Sequence, residues 1–437
     1  MTLKETLLRR LHNREAAIGI VGLGYVGLPL AVEFAAVGFT VIGIDVTQSK
    51  VDSINRGESY IPDIPTSQLK PLVESGKLRA SSNYADLSHV DAISICVPTP
   101  LRKTKDPDMS FVIDSVNSVA AIAHEGMLVV LESTTYPGTT NEIVVPKLEE
   151  NGLKVGETVF VAFSPERIDP GNKHYGVKNT PKVVGGVTPA CTEAVEAYYG
   201  AAVDTVVTVQ NPTTAEMVKL LENTFRAVNI AMVNEMALMC DKLGVDVWEV
   251  IRAASSKPFG FMSFYPGPGI GGHCIPVDPH YLSWKLKTLN YNARFIELAS
   301  EVNTSMPLYV IEKVGHALND DYKPIRGSKV VVLGVAYKRD IDDVRESPAL
   351  DVIGLLQHRG ANVVYHDPYV PQFRGEDNQP IHSVPLTDEL LESADCVVIV
   401  TDHTVFDYQN IVNRSKLVID TRHATAKLSG KARVVTL

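Results

Sequence analysis

The sequence predicts an α/β protein in which two doubly wound domains are joined by a long central helix. Three observations carry the prediction. Short apolar runs alternate with helical patterns from the start of the chain, the same alternation returns after residue 329, and the stretch between them shows no strand signal. Strands that alternate with helices sit in parallel sheets covered on both faces, so they read as continuous apolar runs.

In chain order, residues 16–21, 40–45, 92–97, 127–131 and 158–163 read as buried parallel strands, with candidate helices at 28–37, 111–123 and 139–149 between them. A further strand pair around Val183 and Val206 completes a first domain, residues 1–208. Apolar residues at three- and four-residue spacing then predict a long helix over 215–243, with Thr213 and Thr214 as its cap. Residues 258–279, PFGFMSFYPGPGIGGHCIPVDP, are dense in Gly and Pro yet carry Phe, Tyr, Ile and Cys, which predicts an ordered loop and not a linker. A second helix, about 292–318, closes a central region, 209–318. Strands at Lys329–Leu333, 361–366, 396–400 and 416–420 then build a third region, 319–437.

A net charge of −10 argues against nucleic acid or an anionic membrane as a partner held by bulk charge. Local cations and helix N-termini can still hold an anionic ligand. The opening MTLKETLLRRLHNREA lacks the apolar core of a secretory signal, and no apolar run reaches the length of a membrane span, so a cytoplasmic protein is expected. The five cysteines, 96, 191, 240, 274 and 396, are scattered without a CxxC pair. That argues against a disulfide framework or a metal site, and each cysteine is read singly.

Gly22, Leu23, Gly24, Tyr25, Val26 and Gly27 form a GxGxxG between a strand and a helix, and a second strand ends in Asp45. Alone the motif is weak; in this setting it is the fingerprint of a Rossmann-like dinucleotide fold. Its glycines let backbone approach a pyrophosphate at the helix N-terminus, and Asp45 accepts from the adenosine ribose hydroxyls. A carboxylate there repels a 2′-phosphate, which favours NAD over NADP. The plain alternative is a turn-forming glycine cluster beside a surface aspartate.

Cys274 ends a run in which Gly267, Gly269, Gly271 and Gly272 let backbone close on a ligand. A cysteine so placed is a candidate nucleophile. Cys96, Cys191, Cys240 and Cys396 read as small buried apolar residues. His273 adjoins Cys274, and adjacent side chains usually point apart.

The loop resembles the GxGGxCxxxD signature of the UDP-glucose/GDP-mannose dehydrogenase family. The resemblance covers nearly the whole chain through motifs in order: GLGYVGLP at 22–29, VPTP at 97–100, ESTTYPGTT at 132–140, SPER at 164–167, AEMVKLLENTF at 215–225, the cysteine loop, and AYKRDIDDVRESPA at 336–349. Within the family, GPGIGGHCIPVDPHYLSWK looks most like members acting on UDP-N-acetylglucosamine in bacterial surface-polysaccharide and lipopolysaccharide synthesis, with UDP-N-acetylmannosamine and UDP-glucose enzymes as near relatives. The resemblance implies an NAD-dependent four-electron oxidation of a C6 alcohol. Cys274 would capture the aldehyde as a thiohemiacetal and carry it to a thioester.

Asp278 matches the aspartate that arranges water or thiol; its plain role is to cap the helix starting near Pro279. Lys219 and Asn223 lie i, i+4 on one helix face, where an ammonium and an amide can stabilise an oxyanion at C6. Glu166 matches a general base acting through water and Thr134 a residue that orders that water. Cofactor residues implied by motif match add Lys50, Val97, Thr99, Ser133, Thr134 and Arg345. Substrate residues include Glu166, Lys219 and Asn223, and add Arg167, Tyr265, Gly267, Gly269, Gly271, Tyr337 and Lys338. Lys338 and Arg345 follow the strand Lys329–Leu333, where open α/β sheets place ligands, which makes the C-terminal domain the UDP-binding half. The central helix is implied to be a dimer interface, in a homodimer or higher homo-oligomer. One departure stands out: glucose enzymes carry a second Glu four residues after the first, and Pro170 holds that position here.

Two other classes compete. A 3-hydroxyacid or 6-phosphogluconate type dehydrogenase pairs a similar dinucleotide domain with a helical one but transfers one hydride and needs no cysteine. A nucleotide-sugar sensor would keep the fold without turnover, against which the set Lys219, Asn223, Cys274, Asp278 speaks.

Overall fold

The computed structural model describes residues 1–102, 106–169, 172, 174–375 and 378–437. Pro170 lies outside the described residues. The fold is α/β with parallel sheets and a long central helix. Its chain divides into two compact units, Met1–Glu222 with His280–Tyr291 and Asn223–Pro279 with Asn292–Leu437.

The first unit is built on eight strands: β1 Ala17–Val21, β2 Thr40–Ile44, β3 Leu78–Ser81, β4 Ala92–Ile95, β5 Leu128–Leu131, β6 Phe160–Phe163, β7 Lys182–Gly186 and β8 Val206–Val209. Their order is β3-β2-β1-β4-β5-β6-β7-β8, parallel throughout except that β7 runs antiparallel to β6. Alternate side chains point to opposite faces, so Ile18, Ile20, Leu128 and Val130 enter one apolar cluster while Val21, Ile93, Ile95, Val129 and Leu131 enter another. Both faces are therefore core, which is why these strands read as unbroken apolar runs. The helix Gly27–Ala36 covers one face with Leu28, Leu30, Ala31 and Phe34.

Strand order reverses between β1 and β4, the place where doubly wound sheets bind ligands at their carboxyl ends. There Gly22 has φ +90°, and a Cβ on it would stand 2.6 Å from the Cys96 carbonyl oxygen. A Cβ on Gly27 would collide with the carbonyl oxygen of Gly22. The turn from strand to helix is thus closed to any side chain at either position.

The second unit repeats the theme with β9 Lys329–Leu333, β10 Asn362–His366, β11 Gln372–Arg374, β12 Pro380–His382, β13 Cys396–Ile399, β14 Leu417–Asp420 and β15 Arg433–Thr436. Five of them form a parallel sheet, β10-β9-β13-β14-β15, and β11 and β12 form an antiparallel hairpin. Gly334, at φ +79°, follows β9 as Gly22 follows β1. Asp367 follows β10 as Asp45 follows β2. Its carboxylate accepts from the N–H groups of Val335 (2.6 Å), Ala336 (3.0 Å), Tyr369 (2.9 Å) and Val370 (3.0 Å), and from Nε2 of His403 (3.0 Å). Nδ1 of His403 accepts the N–H of Asp340 at 2.9 Å, so the ring hydrogen is on Nε2.

The central helix runs Pro212–Leu243, starting in the first unit and ending in the second. Its cap is Asn211, not the expected Thr213 or Thr214: Asn211 Oδ1 accepts the N–H and hydroxyl of Thr214 at 2.8 and 3.0 Å, with Pro212 at the first helical position. In the second unit Asn234 is buried and links this helix to Arg294–Asp320. Its amide donates to Asn303 Oδ1 at 2.9 Å, and its Oδ1 accepts the N–H of Gly267 at 2.9 Å.

Several elements were not anticipated, including β3, β15, the β11–β12 hairpin and the N-terminal helix Leu3–His12. The strands among them are three or four residues long; β3 and β11 mix exposed with buried positions, while β12 and β15 have no buried position, so they carry little periodic signal. The helix expected at 139–149 begins as a π turn, Thr140–Val144, before Val145–Glu149.

Because the Gly22–Gly27 turn is backbone against backbone, Gly27→Ala is expected to cost about 3 kcal/mol or more. A lowered urea midpoint at unchanged slope would report it; an unchanged midpoint would show that the turn yields.

Candidate active site

In the first unit, the carboxylate of Asp45 is buried at the end of β2. It accepts from the N–H of Leu23 at 3.1 Å and of Thr47 at 2.9 Å, and Lys50 Nζ stands 3.3 Å away. Burial alone would raise the Asp45 carboxyl, but these N–H groups and the Lys50 ammonium outweigh it and hold it below the usual range. Around Gly24 no described atom lies within 4 Å of where a Cβ would be, Tyr25 is exposed, and Val26 gives the following helix no side-chain cap. Open backbone at an uncapped helix N-terminus, beside an ionised acceptor, fits a dinucleotide. Val97 and Thr99 follow β4: the Val97 carbonyl accepts the Ser133 hydroxyl at 2.7 Å, and the Thr99 carbonyl accepts the Tyr281 hydroxyl at 2.9 Å.

Lys219 is buried on the central helix, and its ammonium donates to the Thr134 hydroxyl at 2.5 Å. Three residues earlier on the helix, Glu216 accepts from the N–H groups of Gly138 (2.5 Å) and Thr140 (2.9 Å) and from the Thr140 hydroxyl (2.8 Å). Glu166 is buried after β6. One oxygen accepts the N–H of Arg167 at 2.7 Å and of Ile168 at 2.8 Å, and the other accepts Lys182 Nζ at 2.7 Å. Burial pushes this carboxyl up, but the Lys182 charge and hydrogen bond, the Ile168 N–H and the Lys219 charge bring it below the usual range. It stands as an ionised acceptor. Arg167 is engaged by its neighbours, forking onto Glu222 at 3.2 and 2.6 Å and onto the Pro181 carbonyl at 2.8 Å.

In the second unit, Asn223 and Asp278 are both buried and joined by a 2.7 Å hydrogen bond from the amide to the carboxylate. The N–H of Asp278 returns to the Cys274 carbonyl at 2.8 Å, closing a turn that ends with Cys274 exposed. The other four cysteines are buried. The glycines of the loop meet three different elements. A Cβ on Gly267 would lie 2.6 Å from the Arg422 guanidinium, one on Gly269 (φ +130°) 3.1 Å from Pro348, and one on Gly271 2.6 Å from Tyr337. Tyr337 and Lys338 are half-buried after β9, and Arg345 lies in the same loop, bidentate to Asp343, with its carbonyl accepting the N–H of Gly272 at 2.9 Å. Tyr265 is exposed and stacks on Trp248 at 6.0 Å, and Trp248 stacks on His423 at 4.7 Å. Among the described residues, no group of three His, Cys, Asp or Glu could hold a metal ion, and no helix is long and apolar enough to cross a membrane.

Three models of one family match the chain in order. They are its NAD binding domain over residues 16–203, its central domain over 213–305 and its UDP binding domain over 331–427. The chain belongs to the UDP-glucose/GDP-mannose dehydrogenase family. It is similar to the UDP-N-acetyl-D-mannosamine dehydrogenase of Escherichia coli (strain K12), with 38% identity over 424 residues, 93% of this chain and 98% of the relative. It is also similar to the solved structure of UDP-D-ManNAc dehydrogenase from Pyrococcus horikoshii (TM-score 0.87, 34% identity, 96% of this chain and 98% of that one). A UDP-N-acetyl-mannosamine dehydrogenase from Staphylococcus aureus gives a TM-score of 0.83 at 31% identity, covering 96% and 98%. As a member of this family the chain is an NAD-dependent nucleotide-sugar dehydrogenase.

Some residues at these clusters escaped the sequence. Lys182 and Glu132 carry buried charge, Glu216 anchors a loop, Tyr281 fixes Thr99, and Arg422 backs the glycine loop. Lys182 heads an apolar strand and Glu132 follows one, positions that look like ordinary solvated strand ends. Glu216 had a signal, lying one helical turn before Lys219 on the same face.

The ionised Asp45 predicts the cofactor preference of this family member. Asp45→Ala should weaken NAD roughly tenfold and erase discrimination against NADP. Comparing kcat/KM for the two cofactors checks this, and a variant that still prefers NAD as strongly as the parent would contradict it.

Proposed function

We propose that the chain oxidises the C6 alcohol of a UDP-N-acetylhexosamine to a carboxylate, with UDP-N-acetylglucosamine as substrate and UDP-N-acetylglucosaminuronate as product. The observation that carries this reading is Cys274, which alone among the five cysteines is exposed and ends a loop whose glycines let backbone reach a ligand. Residues 22–27, Asp45, Lys50 and the segments around Val97, Thr99 and Ser133 would hold NAD, which would supply the hydride acceptor for both oxidations.

The chain's own residues do the rest. Lys219 offsets the negative charge that develops on the C6 oxygen, and its bond to Thr134 aims the ammonium. The Cys274 thiolate adds to the aldehyde and keeps it from hydrating and leaving. The second oxidation turns that thiohemiacetal into a thioester. Glu166 takes a proton from the water that hydrolyses it, and Cys274 departs as the thiolate. Asp278, pinned by Asn223, orients the water or thiol. Per sugar, two hydrides leave C6 and one water supplies the new carboxylate oxygen. Tyr265, Gly267, Gly269, Gly271, Tyr337 and Lys338 hold the nucleotide-sugar in this reading, Arg167 is a further substrate residue, and Arg345 serves the cofactor.

The sugar reading rests on the likeness of GPGIGGHCIPVDPHYLSWK to glucosamine enzymes. The C2 epimer, UDP-N-acetylmannosamine, is a second reading, favoured by the names of the E. coli, P. horikoshii and S. aureus relatives. A second copy of the chain completes the protein in this reading. The central helix exposes Leu221, Phe225, Met232, Met239 and Leu243 at spacings of four and seven, one apolar stripe suited to a partner helix.

Four outcomes test these proposals. Cys274→Ala is expected to abolish formation of two NADH per sugar while UDP-sugar affinity stays within about threefold. Cys274→Ser should accumulate a covalent sugar adduct visible by intact-protein mass spectrometry, because its ester-like linkage hydrolyses slowly. An Ala variant that still makes two NADH per sugar would remove Cys274 from the chemistry. Initial rates with the three UDP-sugars decide the substrate; a kcat/KM for the mannosamine or glucose nucleotide at or above that for N-acetylglucosamine overturns it. Phe225→Glu should convert a dimer to monomer by sedimentation velocity, and a parent chain that sediments as a monomer excludes the interface.

A further inference from the structure

Beneath Glu166 lies a charge arrangement that none of the roles above employs. Lys182, at the head of β7, is 4% exposed, and its ammonium stands 2.7 Å from Glu132 Oε2 and 2.7 Å from Glu166 Oε2. Glu132, just past β5, is 1% exposed, and its Oε1 has no hydrogen-bond partner among the described residues. The charge of Lys219 also acts on Glu166 from the central helix. Two carboxylates, Glu132 and Glu166, thus face two ammonium groups, Lys182 and Lys219.

A buried ion pair is a poor device for stability alone, since apolar residues of similar volume usually serve as well. This one instead leaves a mark on Glu166. An ionised carboxylate offers about four lone-pair sites. In Glu166 two bonds from Arg167 and Ile168 fall on Oε1 and one from Lys182 falls on Oε2. Among the described residues one Oε2 site is left over, so the carboxylate has a single direction in which to accept a proton. We propose that Lys182 is the positioning residue that sets this direction, with Glu132 as its buried counter-charge. The inference rests on Glu166 being the base of the hydrolytic step.

The groups that face Glu166 are Lys182 from β7, Glu132 after β5, Lys219 from the central helix and the buried Cys96 thiol after β4. The Arg167 guanidinium is turned away onto Glu222. Removing Lys182 takes away the nearest cation while leaving burial and the Glu132 charge, and both of those favour the protonated acid. The sign follows: a base is active when ionised, so the rising limb of kcat against pH moves to higher pH.

The test uses the full-length enzyme with NAD and UDP-N-acetylglucosamine, or whichever UDP-sugar it turns over best. Lys182→Met should raise the limb by about one pH unit or more and lower kcat at pH 7 at least about tenfold, with KM within about threefold. Lys182→Arg, which keeps the charge, should bring the limb back. The double variant Lys182→Met with Glu132→Gln removes both charges; it should recover the melting temperature lost by the single variant and keep the displaced limb, separating position from folding. A Lys182→Met enzyme with the parental limb, or a double variant whose limb returns with its stability, overturns the inference. Glu166→Gln is the control for the underlying reading. If it hydrolyses the thioester at the parental rate, Glu166 is not the base and both ideas fall; if it is inactive while Lys182→Met keeps the parental limb, only the role of Lys182 falls.

Discussion

The carboxylate of Glu216 fixes the register of the central helix against the loop that follows β5. It is 1% exposed and holds two backbone N–H groups and one hydroxyl of that loop, so the helix can neither slide nor turn without leaving those donors unsatisfied. Once position 216 is set, helical geometry sets the rest of the face. Lys219 falls about one turn on and meets Thr134, and Glu222, three residues further, receives the Arg167 fork. Burial raises the Glu216 carboxyl, while the donors of Gly138 and Thr140 oppose that rise. An error of one residue in this anchoring would turn every functional side chain of the helix to a different face.

The same logic explains how much of the molecule was legible beforehand. Strands β1, β2, β4, β5 and β6 were readable because both of their faces are core, so burial wrote itself into composition. The GxGxxG was readable because sterics forbid side chains at Gly22 and Gly27, and Asp45 because its position at a strand end has a chemical reason. Cys274 stood out by its four-glycine run, but its role, and Lys219 and Asn223, were nameable only through the ordered motifs of a family; spacing alone is equally that of a buried thiol and a polar helix face.

What stayed hidden was long-range. Lys182 and Glu132 are 50 residues apart, and nothing local separates a charge that ends a strand in solvent from one that ends it in the core. Strand β15 and the β11–β12 hairpin are short and only partly buried, so pairing partners and not pattern decide them. The helix cap lies at Asn211 because that residue precedes a proline that already suits the first helical turn, and Thr214, which looked like a cap, donates its N–H and hydroxyl to it.

The two units carry the same device, a glycine after the first strand of a parallel sheet and an aspartate after the next, and they spend it differently. In the first, Asp45 has two backbone donors and the half-exposed Lys50 ammonium. In the second, Asp367 has five donors from its own chain, one of them a histidine held in a single tautomer by the backbone of Asp340. The loop bearing Tyr337 and Lys338 is thereby shaped when the domain folds. Its ordering entropy is settled on folding, so a ligand bound there would meet a preformed template and not one that it must assemble.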